Sequence, residues 1–329
     1  MRFLFLIPDL TKSPFFLWEY KLRLTPFRRF LPPPKMRTEK VWGGTLNIMR
    51  HCALARSLGA DAYLATQSGS DTYGPVFGVA SSPFVRWEDR RPDDICILPD
   101  IYTSQIDKIQ GWVVAYQQVP SCVRNNFDHS RERVLVWTDS PHMLKVCQER
   151  YPGKDIPIVP NIVDNSIFPF IAQSQRRTGE LMAFPRKGPE FIHQTMAAYH
   201  SNGGTYWKLN TVDGLPLSEL ADRFRAPQAF LASASVEGCA LPPQEAMAAG
   251  IAVVGRDAGG ANFYMRHNET ALVANTPEAA AQSLCALEDS ALRQRLSLAG
   301  HDYIQRYFPD REPSSFWRDV IADPRWNQN

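Results

Sequence analysis

The sequence of 329 residues lacks long hydrophobic runs and closely paired cysteines. Its apolar start, residues 3–7, is followed at once by Pro8 and Asp9. That run is too short for a signal peptide or a spanning helix, so it is predicted to be a buried strand. The six cysteines form no Cys-x-x-Cys pair, which argues against a zinc site and against a small disulfide scaffold. A reducing cytoplasm is the compartment that this composition favours.

Neither sign of charge dominates, and no dinucleotide-binding fingerprint is present. The chain has 36 Lys+Arg against 34 Asp+Glu, so it is not a polycation that would hold nucleic acid by releasing counterions. No Gly-x-Gly-x-x-Gly occurs, which argues against a dinucleotide-dependent dehydrogenase. An anion bound by this protein is therefore expected to be bound locally.

The length and the hydrophobic content of 44% can supply cores for two domains. Short apolar runs, each followed by a polar turn, predict parallel strands of a doubly wound sheet. In the first half these strands are expected at 62–66, 95–98, 112–116 and 134–137, with a helix at 43–58. In the second half they are expected at 181–184, 206–209, 229–232 and 251–254, with a helix at 189–200. The two halves thus repeat one α/β architecture.

The segment 11–40 is basic, with eight Lys or Arg residues against two Glu. Aromatic residues are interleaved with these charges, and the proline run 32–34 interrupts any long helix. Basic and aromatic side chains together suit a surface that meets an anionic acceptor or membrane headgroups. A solvated loop is the alternative interpretation.

Residues 237–250 carry two glutamates eight positions apart, Glu237 and Glu245. The proline pair 242–243 predicts that a helix starts there after a loop, because proline is tolerated in a first helical turn. Backbone N–H groups at such a helix start can receive phosphate oxygens. These groups belong to Gly238, Cys239, Ala240 and Leu241. Both carboxylates can accept hydrogen bonds from hydroxyl groups, although two ordinary helix-start acids remain the alternative.

The whole run resembles the E-G-x-x-L-P-x-x-E-A-M-A-x-G signature of the retaining GT-B glycosyltransferases related to sucrose and glycogen synthases, the family 4 or group 1 type. The resemblance continues through 251–255 to Gly259 and Gly260. It implies that Glu237 contacts the donor sugar, that loop 238–241 contacts sugar and phosphate, and that Glu245 contacts the nucleotide ribose.

A GT-B fold implies two Rossmann-like domains that face each other across a cleft. We expect an acceptor-side domain at 1–165 and a donor-nucleotide domain at 166–310. The last segment, 311–329, is expected to be a helix that packs back on the first domain.

Residues 184–188 resemble the strand-end segment where this family places an Arg and a Lys on the donor diphosphate. Two cations there would do the electrostatic work that a metal does elsewhere. Many members space the two residues apart, whereas Arg186 and Lys187 are adjacent here. Lys187 is therefore the firmer assignment, and Arg186 could instead face solvent.

Gly43 and Gly44 resemble the family's glycine loop near the donor phosphates, although a plain turn is the alternative. Residues 160–164 with Phe168 resemble its interdomain segment. Family members often carry a histidine that faces the sugar. Gln117 occupies a plausible equivalent place, and His129 is the nearest histidine.

The resemblance implies a retaining hexosyltransferase. No Asp-x-Asp motif of the metal-dependent GT-A class occurs, so we expect the enzyme to be metal-independent. Its catalytic residues would be Glu237, Lys187 and Arg186. No cofactor is expected beyond a nucleotide-sugar substrate, with UDP-hexose favoured, and the acceptor would be a saccharide or lipid-linked saccharide of bacterial polysaccharide synthesis. The chain would work in the cytoplasm, with segment 11–40 available for contact with the inner face of the membrane. A nucleotide-sugar epimerase or hydrolase of the same fold, or a non-catalytic nucleotide-sugar-binding protein, are the alternatives.

Overall fold

A computed structural model describes residues 1–11, 36–38, 41–310 and 313–327. The basic segment 11–40, with its predicted acceptor or membrane contact, lies almost entirely outside these residues. Within the described part of the chain, no helix has the length and apolar character needed to span a bilayer.

The first domain is built on a sheet of six parallel strands. The strands are β1 Arg2–Leu6, β4 Asp61–Thr66, β5 Phe84–Arg86, β6 Ile95–Pro99, β7 Val113–Gln117 and β8 Val134–Thr138. Their spatial order is β5-β4-β1-β6-β7-β8. A short parallel pair, β2 Asp9–Leu10 and β3 Arg37–Thr38, follows β1. The direction of winding reverses between β1 and β6, which makes their carboxyl ends the switch point where ligands of such sheets bind.

Two helices on opposite faces of this sheet reach toward the same edge. Helix α1, Gly43–Ser57, buries Ile48 and Met49 against one face. Helix α2, Pro141–Arg150, buries Met143 and Cys147 against the other. Both helices begin at the carboxyl edge of the sheet, α1 after the β1–β3 segment and α2 directly after the edge strand β8.

The second domain has a sheet of five parallel strands. They are β9 Glu180–Ala183, β10 Lys208–Thr211, β11 Ala229–Ala232, β12 Ala252–Gly255 and β13 Leu272–Val273. The order β10-β9-β11-β12-β13 places the switch point between β9 and β11. The helices are α3 Pro189–Ser201, α4 Leu217–Arg223, α5 Leu241–Ala248, α6 Pro277–Ala286 and α7 Ser290–Asp310.

The last helix, α8 at Pro313–Ala322, packs on the first domain and not on the second. Its Trp317 is buried, with ring centroids 5.9 Å from Phe3 and 5.4 Å from Phe5. The indole Nε1 donates to Nδ1 of His51 at 3.0 Å. Burial lowers the pKa of His51 to about 3, so a neutral imidazole accepts this bond.

The structure differs from the predicted elements mainly in short pieces. The strand expected at 206–209 begins two residues later, because Tyr206 and Trp207 turn their N–H groups to the hydroxyl of Tyr199. The indole of Trp207 donates to the carbonyl of Leu284, which anchors the residue before the strand. Helices α2 and α4 and strands β5 and β13 were not predicted, because each is short or has weak periodicity.

Candidate functional site

The two strands at the switch point of the second sheet are each followed by a charged residue. Lys187 lies in the turn Pro185–Lys187 after β9, and Glu237 lies in the loop after β11. Lys187 Nζ donates to Glu237 Oε2 at 2.5 Å, and the two side chains are 41% and 16% exposed. The structure therefore brings together two predicted site residues at the edge where ligands of doubly wound sheets bind.

Gly188 allows Lys187 to reach this position. A Cβ atom on Gly188 would lie 2.3 Å from the carbonyl oxygen of Ser233, just after β11. Ser233 Oγ in turn donates to the carbonyl of Phe184 at 3.1 Å. The chains that leave β9 and β11 are thus packed backbone to backbone, which holds the Lys187 turn against the loop that carries Glu237.

The loop after Glu237 lies directly against the first domain. Ser140, the N-cap residue of α2, donates its Oγ hydrogen to the carbonyl of Gly238 at 2.6 Å. A Cβ atom on Gly238 would lie 1.8 Å from the carbonyl oxygen of Gln118. A side chain at this position is therefore excluded by backbone of the other domain.

The predicted glycine pair begins α1 and faces the same loop. A Cβ on Gly43 would be 3.5 Å from Leu241 Cδ1, and one on Gly44 would be 3.1 Å from Gln118 Oε1. Arg186 lies with its guanidinium carbon 4.9 Å from the centroid of the Trp42 ring. Arg186 therefore stacks on the first domain, and among the described contacts it does not join the Lys187–Glu237 pair.

A buried network of amide side chains joins the domains behind the glycine pair. Asn47 Nδ2 donates to Asn161 Oδ1 at 3.0 Å and to the hydroxyl of Tyr116 at 3.2 Å. Asn161 Nδ2 donates to the carbonyl of Cys239 at 3.3 Å, and Asn47 Oδ1 accepts from the N–H of Ile162. Asn161 belongs to the segment that resembles the family's interdomain run, and the network ties that segment to the loop after Glu237.

The loop 238–240 is also held from within the second domain. The N–H of Ala240 donates to Asn262 Oδ1 at 3.3 Å, and the carbonyl of Ala240 accepts from Tyr264 and Gln244. Burial raises the pKa of the Cys239 thiol well above its ordinary value. Of the four N–H groups that were expected to face phosphate, the one on Ala240 is thus already bonded to protein.

Glu245 lies on α5 and is only 4% exposed. Its Oε1 is 3.7 Å from Nη1 of Arg50, which lies on α1 of the first domain. Burial raises the pKa of Glu245, and the neighbouring Arg50 charge opposes that rise. The structure places Glu245 behind the Glu237 loop, at the domain interface.

Two carboxyl groups of the first domain lie at the same edge. Asp100 follows β6, and its Oδ2 accepts from the N–H groups of Gln118 and Val119 at 3.1 and 2.9 Å. Burial raises the pKa of Asp100 to about 6. Asp139 follows β8, and burial, together with the charges of Asp100 and Glu237, raises its pKa well above the ordinary value. Asp139 thus lies close enough to Glu237 for the charge of Glu237 to contribute to the rise in its pKa.

The two acceptor-side residues named from the sequence have different surroundings. Gln117 ends β7, is fully buried, and has no hydrogen-bond partner for Oε1 or Nε2 among the described residues. His129 precedes β8 at the amino end of that strand, with its ring 5.4 Å from the ring of Tyr151. The structure therefore does not bring His129 to the site.

Sequence reasoning missed several residues that border the site. They are Asn47, Arg50, Gln118, Asp139 and Ser140. A signal existed for Arg50, because it falls four positions after Leu46 on the apolar stripe of α1, where a charge is unexpected. Ser140 and Asp139 directly follow a strand at the functional edge of the sheet, a position that topology alone singles out.

Comparison with known families bears on the part of the chain that holds Glu237 and Glu245. Residues 208–302 match the family model described as "Glycosyl transferases group 1". The matched region contains β10 to α6, the loop after Glu237 and most of α7, whereas Lys187 precedes it. No curated protein has a significant sequence match to the chain.

Solved structures of glycosyltransferases share the fold of this chain over nearly its whole length. Sucrose-phosphate synthase from Thermosynechococcus elongatus superimposes with a TM-score of 0.62 at 11% identity, covering 98% of this chain and 99% of that chain. Anabaena HepE, in complex with UDP and glucose, gives a TM-score of 0.57 at 12% identity, covering 98% and 100%. These similarities confirm the predicted GT-B fold with two Rossmann-like domains.

The pneumococcal O-GlcNAc transferase GtfA, in complex with UDP and GlcNAc, is similar over a smaller part. The TM-score is 0.55 at 14% identity, and the match covers 71% of this chain and 58% of that chain. The match thus spans little more than half the length of GtfA, 58% of that chain. At identities of 11–14%, these structural similarities show a shared fold and nothing further.

Proposed function

We propose that this protein is a retaining glycosyltransferase that moves a hexose from a nucleotide-diphosphate sugar to a saccharide or lipid-linked saccharide. The observation that carries the proposal is the Lys187–Glu237 pair at the switch point of the second sheet. Lys187 and Glu237 lie at that edge near the glycine pair that begins α1. The cation suits the diphosphate of a nucleotide sugar, and the carboxylate suits its sugar hydroxyls. Glu237 itself lies in the region that matches the group 1 glycosyl transferase model.

In the proposed complex the donor diphosphate separates Lys187 from Glu237. Lys187 then neutralises the charge that builds on the leaving diphosphate, while Glu237 accepts hydrogen bonds from the sugar hydroxyls. Gly43 and Gly44 leave room for phosphate at the N-terminus of α1. Arg186 can turn from the exposed Trp42 ring to the diphosphate, because a surface cation–π contact contributes only about 0.5–1 kcal/mol.

Retention follows from attack on the face that the diphosphate leaves. The acceptor hydroxyl oxygen bonds to the anomeric carbon as the bond from that carbon to the phosphate oxygen breaks. The proton of the hydroxyl passes to the same phosphate oxygen. No side-chain base is required for this proton transfer.

UDP-hexose is the proposed donor. HepE and GtfA, which share the fold, were crystallised with UDP and a hexose or N-acetylhexosamine. We further propose a role in bacterial polysaccharide synthesis at the cytoplasmic face of the membrane, with segment 11–40 meeting the acceptor or the headgroups. Catalysis is proposed to be metal-independent, so excess EDTA should leave turnover unchanged.

A thermal-shift panel of nucleotide sugars tests the proposal first, since a ligand that binds only the folded state raises the melting midpoint. We expect UDP-hexoses to give the largest shift, and transfer to an oligosaccharide acceptor to follow with retained configuration by NMR. Conversion of the donor without acceptor would instead indicate an epimerase or hydrolase. Binding without any conversion would indicate a non-catalytic nucleotide-sugar-binding protein.

A further inference from the structure

Arg50 and Glu245 form a buried ion pair across the domain interface that is poorly hydrogen-bonded. Arg50 Nη1 and Glu245 Oε1 are 3.7 Å apart, and the side chains are 3% and 5% exposed. Charge-assisted hydrogen bonds of this type are normally about 2.7–2.9 Å long. Nε and Nη2 of Arg50 have no hydrogen-bond partner among the described residues.

A buried ion pair with unpartnered N–H groups destabilises the folded protein unless another group accepts hydrogen bonds from them. A buried N–H group of a charged side chain without an acceptor loses its water and gains no bond in return. Here Nε and Nη2 of Arg50 are the atoms without an acceptor, and Arg50 Nη1 stays 3.7 Å from the Glu245 carboxylate. A ligand that bonds to both side chains must donate to a carboxylate and accept from a guanidinium.

The orientation of Arg50 is fixed by a second contact. Its Nη1 donates to the carbonyl of Ile162, in the segment between the domains, at 2.9 Å. The free atoms Nε and Nη2 form one edge of the planar guanidinium, which presents two parallel N–H groups. That edge can serve two acceptor oxygens side by side.

A vicinal diol has the required complementarity. Each hydroxyl donates one hydrogen and accepts through its oxygen, so two neighbouring hydroxyls can donate to Glu245 and accept from the Nε–Nη2 edge of Arg50. We infer that Arg50 is a second ribose-binding residue, supplied by the first domain, which grips the 2′ and 3′ hydroxyls together with Glu245. The inference rests on the proposed function, in which Glu245 contacts the donor ribose. It makes nucleotide recognition depend on both domains.

Calorimetric titration with UDP and with 2′,3′-dideoxy-UDP tests this inference on the full chain. The wild type should bind UDP about tenfold or more tightly than the dideoxy analogue, since bonds to charged groups contribute about 1.5–3 kcal/mol. Arg50→Met should remove most of that preference and leave binding of the dideoxy analogue within about twofold. Arg50→Lys keeps the charge but loses the two parallel N–H groups, so its preference for UDP over the dideoxy analogue should be intermediate. This variant also provides a test if the Met variant does not fold.

Matched controls separate ribose binding from a structural role. Arg56→Met changes an exposed arginine on the same helix and should keep the wild-type preference. Glu245→Gln should lose the preference, and the Arg50→Met/Glu245→Gln double variant should lose no more than either single variant. Circular-dichroism melting curves check that each variant is folded.

Two results would overturn the ribose clamp formed by Arg50 and Glu245 while leaving the proposed function intact. One is an equal loss of affinity for UDP and its dideoxy analogue in Arg50→Met, which would indicate a structural role. The other is tighter UDP binding in that variant, which would mean that Arg50 competes with the nucleotide for Glu245. If the wild type binds none of UDP, GDP and ADP, the proposed function and the clamp are both wrong.

Discussion

Lys187 and Glu237 bond to each other at 2.5 Å although they belong to loops that follow two different strands, β9 and β11. Both are partly exposed, so a ligand can reach them from the interdomain side. A cation paired with an acid in this way holds both side chains in place before the donor arrives. When the pair separates, the diphosphate can accept from Lys187 and the sugar hydroxyls can donate to Glu237, so both side chains keep a hydrogen-bond partner.

Substitution of either member of this pair should reduce transfer without unfolding the protein. Lys187→Ala and Glu237→Ala are each expected to lower kcat by about tenfold or more, as removal of one group that stabilises developing charge usually does. Steady-state kinetics with a UDP-hexose measures this effect. Lys208→Ala, which changes an exposed lysine on the edge strand β10, serves as the control. Unchanged turnover in both site variants would exclude the assignment.

Gly238 and Gly43 provide a matched pair for the domain contact. Gly238→Ala should cost about 1–3 kcal/mol or more, because its Cβ would meet the Gln118 carbonyl at 1.8 Å. Gly43→Ala should leave stability unchanged or slightly raised, since its Cβ would find Leu241 at 3.5 Å and alanine favours a helix. Urea denaturation compares the two. Equal stability of both variants would show that the backbone around Gln118 can move enough to accommodate a Cβ atom at position 238.

Arg176 and its neighbour Arg177 test how the second domain is held to the preceding segment. The buried guanidinium of Arg176 donates to five backbone carbonyls, those of Ile171, Phe224, Arg225, Pro227 and Ala249. Arg176→Met should therefore cost at least about 3 kcal/mol, because several buried carbonyls lose their donor. Arg177→Met, which removes a mostly exposed side chain, should cost less than about 1 kcal/mol. Chemical denaturation that shows equal effects would contradict the role of Arg176.

Asp100 predicts a pH dependence of stability. Burial raises its pKa from an ordinary 3.8 to about 6, so the folded state binds the proton more tightly than the unfolded state. Its contribution is present below pH 3.8 and is lost as pH rises through about 6. Asp100→Asn keeps an acceptor for the Gln118 and Val119 N–H groups. Between pH 4 and pH 7 its free energy of unfolding should rise relative to that of the wild type, by up to about 3 kcal/mol. A constant difference across that range in urea denaturation would show that Asp100 does not titrate in this way.

The large elements were predictable from the sequence, while the interface between the domains was not. Runs such as 229–232 and 95–98 are apolar throughout, because strands of a parallel sheet are covered on both faces, and they were placed to within a residue. Helix α5 was placed by its prolines. The positions of these strands and of this helix follow from the order of apolar residues and prolines in a short stretch of sequence.

The contacts of Arg50, Asn47 and Ser140 depend on how one sheet lies against the other. Arg50 is separated from Glu245 by most of the chain, and no local pattern encodes their distance. The same holds for Arg186, whose stacking on Trp42 arises only when the domains meet. The donor-binding residues of the second domain were predicted from the motif at 237–250. The residues that the first domain contributes could be identified only from the three-dimensional structure.

Helix α8 has a consequence for the order in which the molecule is assembled. Trp317 fills the core of the first domain, yet it is translated after the entire second domain. The first domain therefore emerges from the ribosome with an uncovered apolar face around Phe3 and Phe5, and it stays incomplete while the second domain folds. Chaperone binding to nascent chains should persist on that face until residues 313–327 have been synthesised.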